Sequence, residues 1–430
     1  MGTNMLNPKS TNPLARNALW MSIGQGARLV VQALYFTVIA RSLGVANYGA
    51  FVGVAALVGI LGPFASAGRG NLLVRSVARD RRAFPEMWGA ALSVSTLFGA
   101  FLVGLILLLY HLALPASIPG KLVLLVAVSD IVGLNIITIS GQAFQALERL
   151  HWTAAINVAI STSRLLGALM LCLVHRSPTP LQWGYVYSGS TAMVCATACW
   201  LVTKKLGAPR FNLPKSWIEI REGLYFSIGL SAQTIYNDID KTMLARLSTF
   251  EATGLYGAAY RLIDVSFTPI SALLAAAYPH FFRRGVLGIG ASWSYAKPHL
   301  RRAAGYAILV CGAILLFAGA VPHILGSDYA ETTEALRWLA PLPLLKAIHY
   351  FLSDSLSSAG YQWLRCSIQI GVAAFNVLIN LWLIPMYSWR GAAWSSVLSD
   401  GLLAATIFIA VLSVTKQEKT SNEALPASAG

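Results

Sequence analysis

Residues 231–256 read SAQTIYNDIDKTMLARLSTFEATGLY and lie near the middle of a chain of 430 residues. Their first half belongs to an apolar segment long enough to cross a bilayer, yet this segment contains Asp238, Asp240 and Lys241. A charge at the centre of a membrane costs roughly 2.5–3.5 kcal/mol on insertion scales, so a helix keeps three of them only when they face protein or water. The stretch therefore predicts a membrane helix that carries a functional charge cluster.

The second half of the same stretch echoes an earlier part of the chain. It contains Ala245–Leu247 (ARL) and Gly254–Gly257 (GLYG), which resemble Ala40–Gly44 (ARSLG) and Asn47–Gly49 (NYG). Chance similarity between apolar segments is one explanation. The other is an internal repeat whose second copy begins here, and the pattern favours this repeat.

The composition is that of a membrane protein. Hydrophobic residues make up 56% of the chain and charged residues only 11%, whereas a soluble domain usually has about 25% charged residues. The apolar residues fall into blocks of about 20, the length that crosses the hydrocarbon core as a helix. These blocks predict twelve spans at 17–40, 47–66, 87–110, 120–144, 152–174, 181–203, 223–246, 253–279, 301–321, 334–357, 361–385 and 390–414.

The Lys and Arg residues are distributed unevenly between the two predicted sides of the membrane. With a cytoplasmic N-terminus, 21 of the 32 lie on the cytoplasmic side and six on the opposite side. Cytoplasmic loops carry such an excess of basic residues. We therefore predict that both termini are cytoplasmic. The net charge of +15 is then a topology signal and requires no nucleic-acid partner.

The loop Lys204–Arg221 divides the predicted spans into two sets of six. An even number of spans gives both sets the same orientation, so an axis along the membrane normal would relate them, with a site between them. Ser216 and Glu219 have the spacing of a capping box for the seventh span, and Pro63 and Pro269 are predicted to kink the second and eighth spans. The predicted domains are an N-terminal six-helix lobe at 1–203, a cytoplasmic linker at 204–222, a C-terminal six-helix lobe at 223–414 and a disordered cytoplasmic tail at 415–430.

Polar side chains follow six of the predicted spans at intervals of three or four residues, which places each set on one face of its helix. Lipid cannot satisfy these groups, so the faces should turn inward. Hydrogen bonding between helices would explain any single stripe, but six stripes together predict a shared aqueous cavity. Gln25, Asn157 and Asn237 represent the first, fifth and seventh spans in this cavity.

Ionisable residues inside the predicted spans form the candidate site. The bases are Arg28, Arg164, Lys241, Arg261 and Lys346, and the acids are Asp130, Asp238, Asp240, Asp264 and Asp400, with Asp354 near a span end. Asp238–Lys241 and Arg261–Asp264 have i,i+3 spacing, so each could be a structural pair. His349 lies one turn from Lys346 and is either a proton carrier or a packing residue.

Ion coupling is predicted at the carboxylates. Apolar surroundings favour the protonated form of a carboxyl group, and Asp238 and Asp240 lie in an apolar span. They are the main candidates for carrying a coupling ion, and Asp130, Asp264 and Asp400 are weaker ones.

Motifs of soluble enzymes are missing from the sequence, which has no P-loop and no GxGxxG, HExxH or GxSxG pattern. The five cysteines lie in apolar segments, form no CxxC pair and are predicted to be packing residues. The external loops are too short to hold a large catalytic loop. We therefore predict no catalytic residue, no metal site and no cofactor.

Several stretches resemble the patterns of a known family. They are Arg41–Gly44 with Tyr48 and Gly49, Tyr236–Lys241 with Leu244, Gly254–Tyr256 with Ala259–Arg261, and Asn376 and Asn380 with Leu383–Pro385 and Gly391–Ala393. On these motifs the chain is identified as a member of the bacterial polysaccharide-biosynthesis flippases, which move lipid-linked O-antigen and exopolysaccharide units. They belong to the multidrug/oligosaccharidyl-lipid/polysaccharide exporter (MOP) superfamily. Ser388–Arg390 departs from the family, which often has a plainer Gly-containing turn there.

The resemblance implies an all-α polytopic membrane protein with two six-helix lobes around a central cavity. It implies alternating access driven by an H⁺ or Na⁺ gradient. The substrate would be an undecaprenyl-pyrophosphate-linked oligosaccharide, carried from the cytoplasmic to the periplasmic leaflet of the bacterial inner membrane. A polysaccharide polymerase and a chain-length regulator would be its partners.

The predicted head-group site begins with Arg28, Arg164 and Lys346, which lie near the middle of three different spans and have no acid within a turn. Three uncompensated bases at one depth would need an anion, and pyrophosphate suits the planar fork of Arg and the point charge of Lys. The residues predicted to complete the site are Lys241, Arg261, Gln25, Asn157 and Asn237. The alternative is that an acid of a neighbouring helix, Asp130, Asp354 or Asp400, neutralises these bases.

Three other functions compete with the flippase. A drug/cation antiporter of the same superfamily would favour acids over bases in its cavity. A major-facilitator transporter would carry a Gly-rich loop with Asp and Arg after the second span, where residues 69–84 read RGNLLVRSVARDRRAF. An enzyme of polysaccharide assembly would act on lipid-linked sugar without a membrane gradient.

Overall fold

The computed structural model describes residues 13–66, 68–211 and 217–423. Almost all of them are helical, and no strand occurs among them, so the predicted fold class, an all-α polytopic membrane protein, is confirmed. The α-helices are α1 (Pro13–Leu61), α2 (Arg69–Arg79), α3 (Phe84–Ala113), α4 (Gly120–Ala127), α5 (Leu134–Ala146), α6 (Leu150–Val174), α7 (Pro180–Leu206), α8 (Trp217–Leu247), α9 (Phe250–Gly285), α10 (Ile289–Phe317), α11 (Val321–Leu325), α12 (Thr332–Leu339), α13 (Leu342–Ser358), α14 (Gln362–Tyr387) and α15 (Trp389–Glu423).

Nine helical segments in the described part of the chain are long and apolar enough to cross a membrane. The first, Gly24–Phe64, covers most of the first and second predicted spans, and α1 is interrupted between them at Gly44 (φ 73°). Glycine adopts this left-handed conformation without the steric cost that a side chain would add. The predicted spans 223–246 and 334–357 fall on α8 and on α12 with α13. All twelve predicted spans are therefore accounted for by helices.

Contacts between residues divide the chain into two compact units. Among the described residues, the first unit contains those up to Ser42, Leu61–Tyr110 and Ser117–Ile228, and the second contains Leu43–Ile60, His111–Ala116 and those from Gly229 onward. Most of the second predicted span thus packs within the second unit. The predicted N-terminal lobe, 1–203, instead groups this span with the other five spans of the first half.

The parts of the two echoing stretches that contain Gly49 and Gly254 pack together within the second unit. A Cβ on Gly254 would lie 2.0 Å from the carbonyl oxygen of Val45, and a Cβ on Gly49 would lie 1.8 Å from the carbonyl oxygen of Phe250. Such close backbone approach requires glycine. The glycines that mark the repeat in the sequence are therefore the contact points between the second half of α1 and the start of α9.

Substitution of either contact glycine should destabilise the protein. We expect Gly49→Ala and Gly254→Ala each to cost about 1–3 kcal/mol, the usual range for overpacking, because the added Cβ meets backbone that cannot move independently. The matched control is Gly305→Ala in α10, where no atom lies within 4 Å of the added Cβ. The measurement is the melting temperature in detergent, and equal values for Gly49→Ala and Gly305→Ala would refute the packing role.

The C-terminal helix is longer than predicted. α15 continues to Glu423, so the predicted disorder is wrong for residues 415–423, while 424–430 lie outside the described residues. The two carboxylate oxygens of Glu418 accept hydrogen bonds from the backbone N–H of Ile289 at 3.2 and 3.0 Å. This N–H belongs to the first turn of α10 and has no partner within its own helix, so the contact anchors the polar extension of α15.

The segment between α7 and α8 is not helical at Gly207–Phe211, in keeping with the predicted linker. The capping residue predicted at Ser216 lies outside the described residues. Pro269 lies inside α9 as predicted. Pro63 does not lie within an α-helix: α1 ends at Leu61, and Pro63 belongs to the 3₁₀ helix Gly62–Phe64. A proline inside the α-helix would remove a backbone hydrogen bond.

Candidate functional site

A cavity of about 380 Å³ lies in the second unit between α8, α9 and α13. Its lining residues are Gln233, Asn237, Asp238, Tyr260, Asp264, Phe267, Ser271, Leu274, Lys346, Tyr350 and Asp354. Four of the predicted site residues, Asn237, Asp238, Asp264 and Lys346, are thus brought together here. Ionisable groups inside a membrane helix bundle mark a functional site by default, so this charged cavity is the candidate site of the second unit.

Two buried lysines lie against the ring of one tyrosine in the charged cavity. Nζ of Lys241 lies 3.8 Å and Nζ of Lys346 lies 4.6 Å from the ring centroid of Tyr260. Only 7% of Lys241 and 4% of Lys346 is exposed. Cation–π attraction is strongest for desolvated cations, so Tyr260 helps to hold both ammonium groups inside the helix bundle.

Each of these lysines also has an anionic partner. Lys241 forms an ion pair with Asp238 of the same helix and donates to the carbonyl oxygen of Asn237 at 3.0 Å. Lys346 on α13 lies 3.6 Å from Oδ1 of Asp264 on α9. The i,i+3 pair Asp238–Lys241 therefore forms. The other predicted pair does not occur, because Asp264 turns towards Lys346 of another helix rather than towards Arg261.

Asp240 is completely buried beside the charged cavity. Its Oδ2 accepts hydrogen bonds from the hydroxyl of Tyr256 on α9 and, at 2.9 Å, from Oγ of Ser396 on α15. Its Oδ1 accepts from the backbone N–H of Lys241 at 2.7 Å. Neutral donors thus hold this carboxylate, and it has no ion pair within the described residues. A proton or a small cation could bind it without displacing a basic side chain.

Neutral oxygens and amides lie on α14 and α15 near the same region. Nδ2 of Asn380 donates to Oδ1 of Asn376 at 3.0 Å, and Nδ2 of Asn376 donates to Oγ of Ser399 at 3.0 Å. Oγ of Ser395, the neighbour of Ser396, donates to Oδ1 of Asn380. These groups are buried and mutually satisfied. Asn376 and Asn380 are family motif residues in the sequence, but the sequence does not indicate that Ser395 and Ser399 on α15 are their hydrogen-bond partners.

Two further carboxylates pair with bases in the second unit. Oδ1 of Asp400 lies 2.9 Å from Nε2 of His349, and both residues are buried. Asp400 therefore belongs to a histidine–carboxylate pair and is not among the residues that line the charged cavity. Asp354 does line it, and its Oδ1 lies 3.9 Å from a guanidinium nitrogen of Arg365.

The first unit contains a separate, half-buried ion pair. A guanidinium nitrogen of Arg164 on α6 lies 3.2 Å from Oδ1 of Asp130. The hydroxyl of Tyr187 on α7 donates to the same carboxylate oxygen at 2.7 Å, and the Arg164 guanidinium lies 3.8 Å from the Tyr187 ring centroid. Asp130 lies in a π-helical turn, Val128–Gly133, between α4 and α5, a local irregularity that is frequent at functional sites.

The remaining predicted site residues are distributed between the two units. Gln25 and Arg28 on α1 and Asn157 on α6 belong to the first unit, where Gln25 is exposed and the other two are half-buried. Arg261 on α9 is half-buried in the second. A head-group site that combines residues of both units stays a prediction.

The expectation of uncompensated bases is wrong for Arg164 and Lys346. Asp130 neutralises Arg164, as the alternative interpretation held, and Asp264 neutralises Lys346. Both partners lie on other helices, which spacing along one helix cannot reveal. The sequence does not reveal that tyrosines contact the charged residues. Tyr256 contacts Asp240, and Tyr260 contacts Lys241 and Lys346, although both tyrosines belong to a family motif.

Solved structures with a similar fold are transporters and flippases. The chain is similar to "Lipid II flippase MurJ, inward closed conformation" with a TM-score of 0.73 and 12% identity, over 92% of this chain and 87% of that one. It is similar to an inward-facing multidrug resistance MATE family transporter of the MOP superfamily with a TM-score of 0.68 and 16% identity, over 91% and 96%. A MOP superfamily transporter from Pyrococcus furiosus matches with a TM-score of 0.65 and 16% identity, over 95% and 98%.

The helical architecture and the buried intramembrane charges therefore define a multi-pass membrane protein with the two-lobed fold of the MOP-superfamily transporters. The sequence identifies its family: residues 14–284 match the family described as "Polysaccharide biosynthesis protein". Because this match covers more than half of the chain, the protein belongs to that family. A search of curated proteins finds no match.

Proposed function

We propose that this protein is a flippase that moves an undecaprenyl-pyrophosphate-linked oligosaccharide across the bacterial inner membrane, from the cytoplasmic to the periplasmic leaflet. Membership of the polysaccharide biosynthesis family supports a substrate of this class. The likeness in fold to a lipid II flippase is in keeping with it. A polymerase and a chain-length regulator would receive the translocated unit.

The observation that carries the proposal is the charged cavity of the second unit. Its Asp264–Lys346 pair connects α9 to α13. A proton or Na⁺ on Asp264 would compete with Lys346 for the carboxylate, so ion occupancy would change what holds the two helices together. A ligand that favours one of two helix arrangements shifts the population between them, and alternating access requires a contact of this kind.

Asp240 is the proposed primary site of the coupling ion, H⁺ or Na⁺. Its carboxylate is buried and held by hydroxyl and amide donors alone, and oxygen ligands suit hard cations. Asp238 and Asp264 would respond next, because each releases a lysine when it is neutralised. Asp130 and Asp400 are proposed as weaker sites, since neither lines the charged cavity.

The head group is proposed to bind basic side chains, beginning with the two lysines that contact Tyr260. Lys346 and Lys241 lose their anionic partners when Asp264 and Asp238 are neutralised, and a pyrophosphate would replace those partners with charge-assisted hydrogen bonds. Arg28 and Arg261 are the proposed guanidinium ligands. The neutral side chains proposed to bind the sugar are Gln25, Asn157 and Asn237. Arg164 is assigned a structural role instead, because Asp130 and Tyr187 already engage its guanidinium.

A drug/cation antiporter is the second candidate, and one observation favours it. Three of the residues that line the charged cavity are carboxylates, Asp238, Asp264 and Asp354, and one is a lysine. Lys241 and Arg365 pair with two of these carboxylates from outside the lining. An excess of acids suits a cationic ligand. In the flippase this excess serves the coupling ion, whereas in the antiporter it would serve the transported cation as well.

Deletion of the gene separates these two functions. In the deletion strain a flippase substrate should stay in the cytoplasmic leaflet, protected in spheroplasts from an added glycosidase, and surface polysaccharide should be lost. Restoring the gene should restore both. If the lipid-linked sugar is equally accessible in both strains, while the deletion strain accumulates more of a lipophilic cationic dye, the protein is an antiporter.

Membrane orientation gives an independent prediction. The excess of basic residues on one side predicts that a reporter fused after Ser292 reports the cytoplasm and that one fused after Asp328 reports the periplasm. Alkaline phosphatase, which is active only outside, and a fluorescent protein, which is active only inside, provide the paired readouts. Phosphatase activity after Ser292 would reverse the proposed direction of translocation.

A further inference from the structure

A second cavity, an apolar groove of about 390 Å³, lies between α6 and α7 in the first unit. Its lining residues are Trp152, Ala155, Ile156, Ala159, Thr162, Ser163, Leu166, Met193, Val194, Thr197, Ala198 and Leu201. The hydroxyls of Ser163 and Thr197 donate to backbone carbonyls of their own helices. Leu166 and Met193 are 54% and 60% exposed. The groove is therefore apolar and opens outward.

The groove is longer than the hydrocarbon part of one bilayer leaflet, which is about 15 Å. Trp152 lies at one end and Leu166 at the other, a rise of about 21 Å at 1.5 Å per residue. The hydrocarbon core is about 30 Å thick, so the groove runs from one membrane surface past the midplane. Trp152 and Trp200 lie at the end of the groove on the predicted cytoplasmic side, in the position typical of interfacial aromatic residues.

Three basic side chains lie near the end of the groove at Trp152. Nζ of Lys205 lies 4.5 Å from the Trp152 ring centroid, and Nζ of Lys204 lies 4.6 Å from that of Trp200. The guanidinium of Arg149 donates to the backbone carbonyl oxygen of Lys205 at 3.5 Å. All three side chains are exposed, and none has an ion pair within the part of the chain that the structure describes. The apolar groove thus ends in a cluster of exposed positive charge.

We propose that this groove binds an anionic phospholipid, with one acyl chain between α6 and α7 and the phosphate among Lys204, Lys205 and Arg149. Basic pockets between membrane helices bind anionic head groups, at about 1 kcal/mol per basic residue near the surface. A zwitterionic lipid should bind less tightly, because it has no net negative charge for these bases. Free phosphate should also bind less tightly, because it has no acyl chain to fill the groove. The site lies apart from the charged cavity, so it does not depend on the proposed transport function.

Lipid binding to the purified full-length protein tests this inference. The probes are phosphatidylglycerol, phosphatidylcholine and inorganic phosphate, and native mass spectrometry reports the bound species. We expect phosphatidylglycerol to be retained preferentially. Lys204→Ala/Lys205→Ala should weaken its binding about 30-fold, the effect of two such charges. Ala159→Trp should also abolish retention, because the indole fills the groove, while the melting temperature shows that each variant remains folded.

Two control variants separate this site from general attraction to lipid. Arg283→Ala/Arg284→Ala removes two exposed adjacent bases at the end of α9, and Leu173→Trp places an indole on α6 outside the groove. Both should retain phosphatidylglycerol as the unmodified protein does. The assignment would be overturned if the protein retained the two phospholipids equally, or if the control variants lost phosphatidylglycerol as the groove variants do. It would also be overturned if the lipid that Ala159→Trp displaces from the purified protein were a polyprenyl phosphate.

Discussion

Asp240→Asn is expected to abolish the dependence of transport on an imposed ion gradient while the protein remains folded. The carboxylate is buried and has no ion pair within the described residues, so its charge is free to respond to a proton or Na⁺. The amide keeps the shape of the side chain but cannot bind a proton in the physiological range or supply a negative charge. We expect the gradient-driven rate to fall at least tenfold, to the level measured without a gradient.

The same substitution should cost little stability. The hydroxyls of Tyr256 and Ser396 can rotate to accept from the new amide group as well as donate to it, so the loss should be about 1 kcal/mol. Asp328→Asn is the matched control, because Asp328 is exposed in a 3₁₀ turn outside the charged cavity. The measurement is the initial rate of translocation in proteoliposomes with and without the gradient. An unchanged gradient-driven rate in Asp240→Asn would remove Asp240 from the coupling mechanism.

Arg164→Ala is expected to destabilise the protein strongly. The guanidinium is paired with Asp130 at 3.2 Å, and their side chains are only 15% and 19% exposed. Removing one partner of a buried ion pair leaves an uncompensated charge and typically costs 3–5 kcal/mol. We expect a lower melting temperature in detergent and a reduced level in the membrane.

A double variant identifies the cause of that loss. Arg164→Met/Asp130→Asn removes both charges and should recover most of the stability, because no buried charge is left unpaired. Arg176→Ala is the control, since Arg176 is exposed between α6 and α7. Normal membrane levels of Arg164→Ala, combined with loss of surface polysaccharide, would instead return Arg164 to the head-group site.

The membrane helices could be predicted from the sequence because bilayer thickness fixes their length and hydrocarbon fixes their composition. Each predicted span falls on helical residues, and the kink at Gly44 coincides with the gap between the first two spans. The end of α15 could not be predicted in this way. Its polar residues show no hydropathy signal, and the contact of Glu418 with the start of α10 is tertiary.

The charged residues of the site could be named from the sequence, but their partners could not. Asp130 precedes Arg164 by 34 residues, and the two meet only because α6 and the π-helical turn both pack against α7. Helical spacing shows which residues share a face. It does not show which face of a neighbouring helix they meet. Spacing offers Arg261 as a possible partner of Asp264, whereas Asp264 faces Lys346 on α13.

Reconstituted translocation tests the proposed function most directly. Purified protein is incorporated into liposomes with an undecaprenyl-pyrophosphate-linked oligosaccharide, and an external glycosidase reports how much of the sugar reaches the outer leaflet. We expect an H⁺ or Na⁺ gradient to accelerate this transfer over protein-free liposomes, with the acceleration absent in Asp240→Asn. Transfer no faster than in protein-free liposomes under every gradient, or conversion of the lipid-linked sugar into a new product without a gradient, would contradict a flippase.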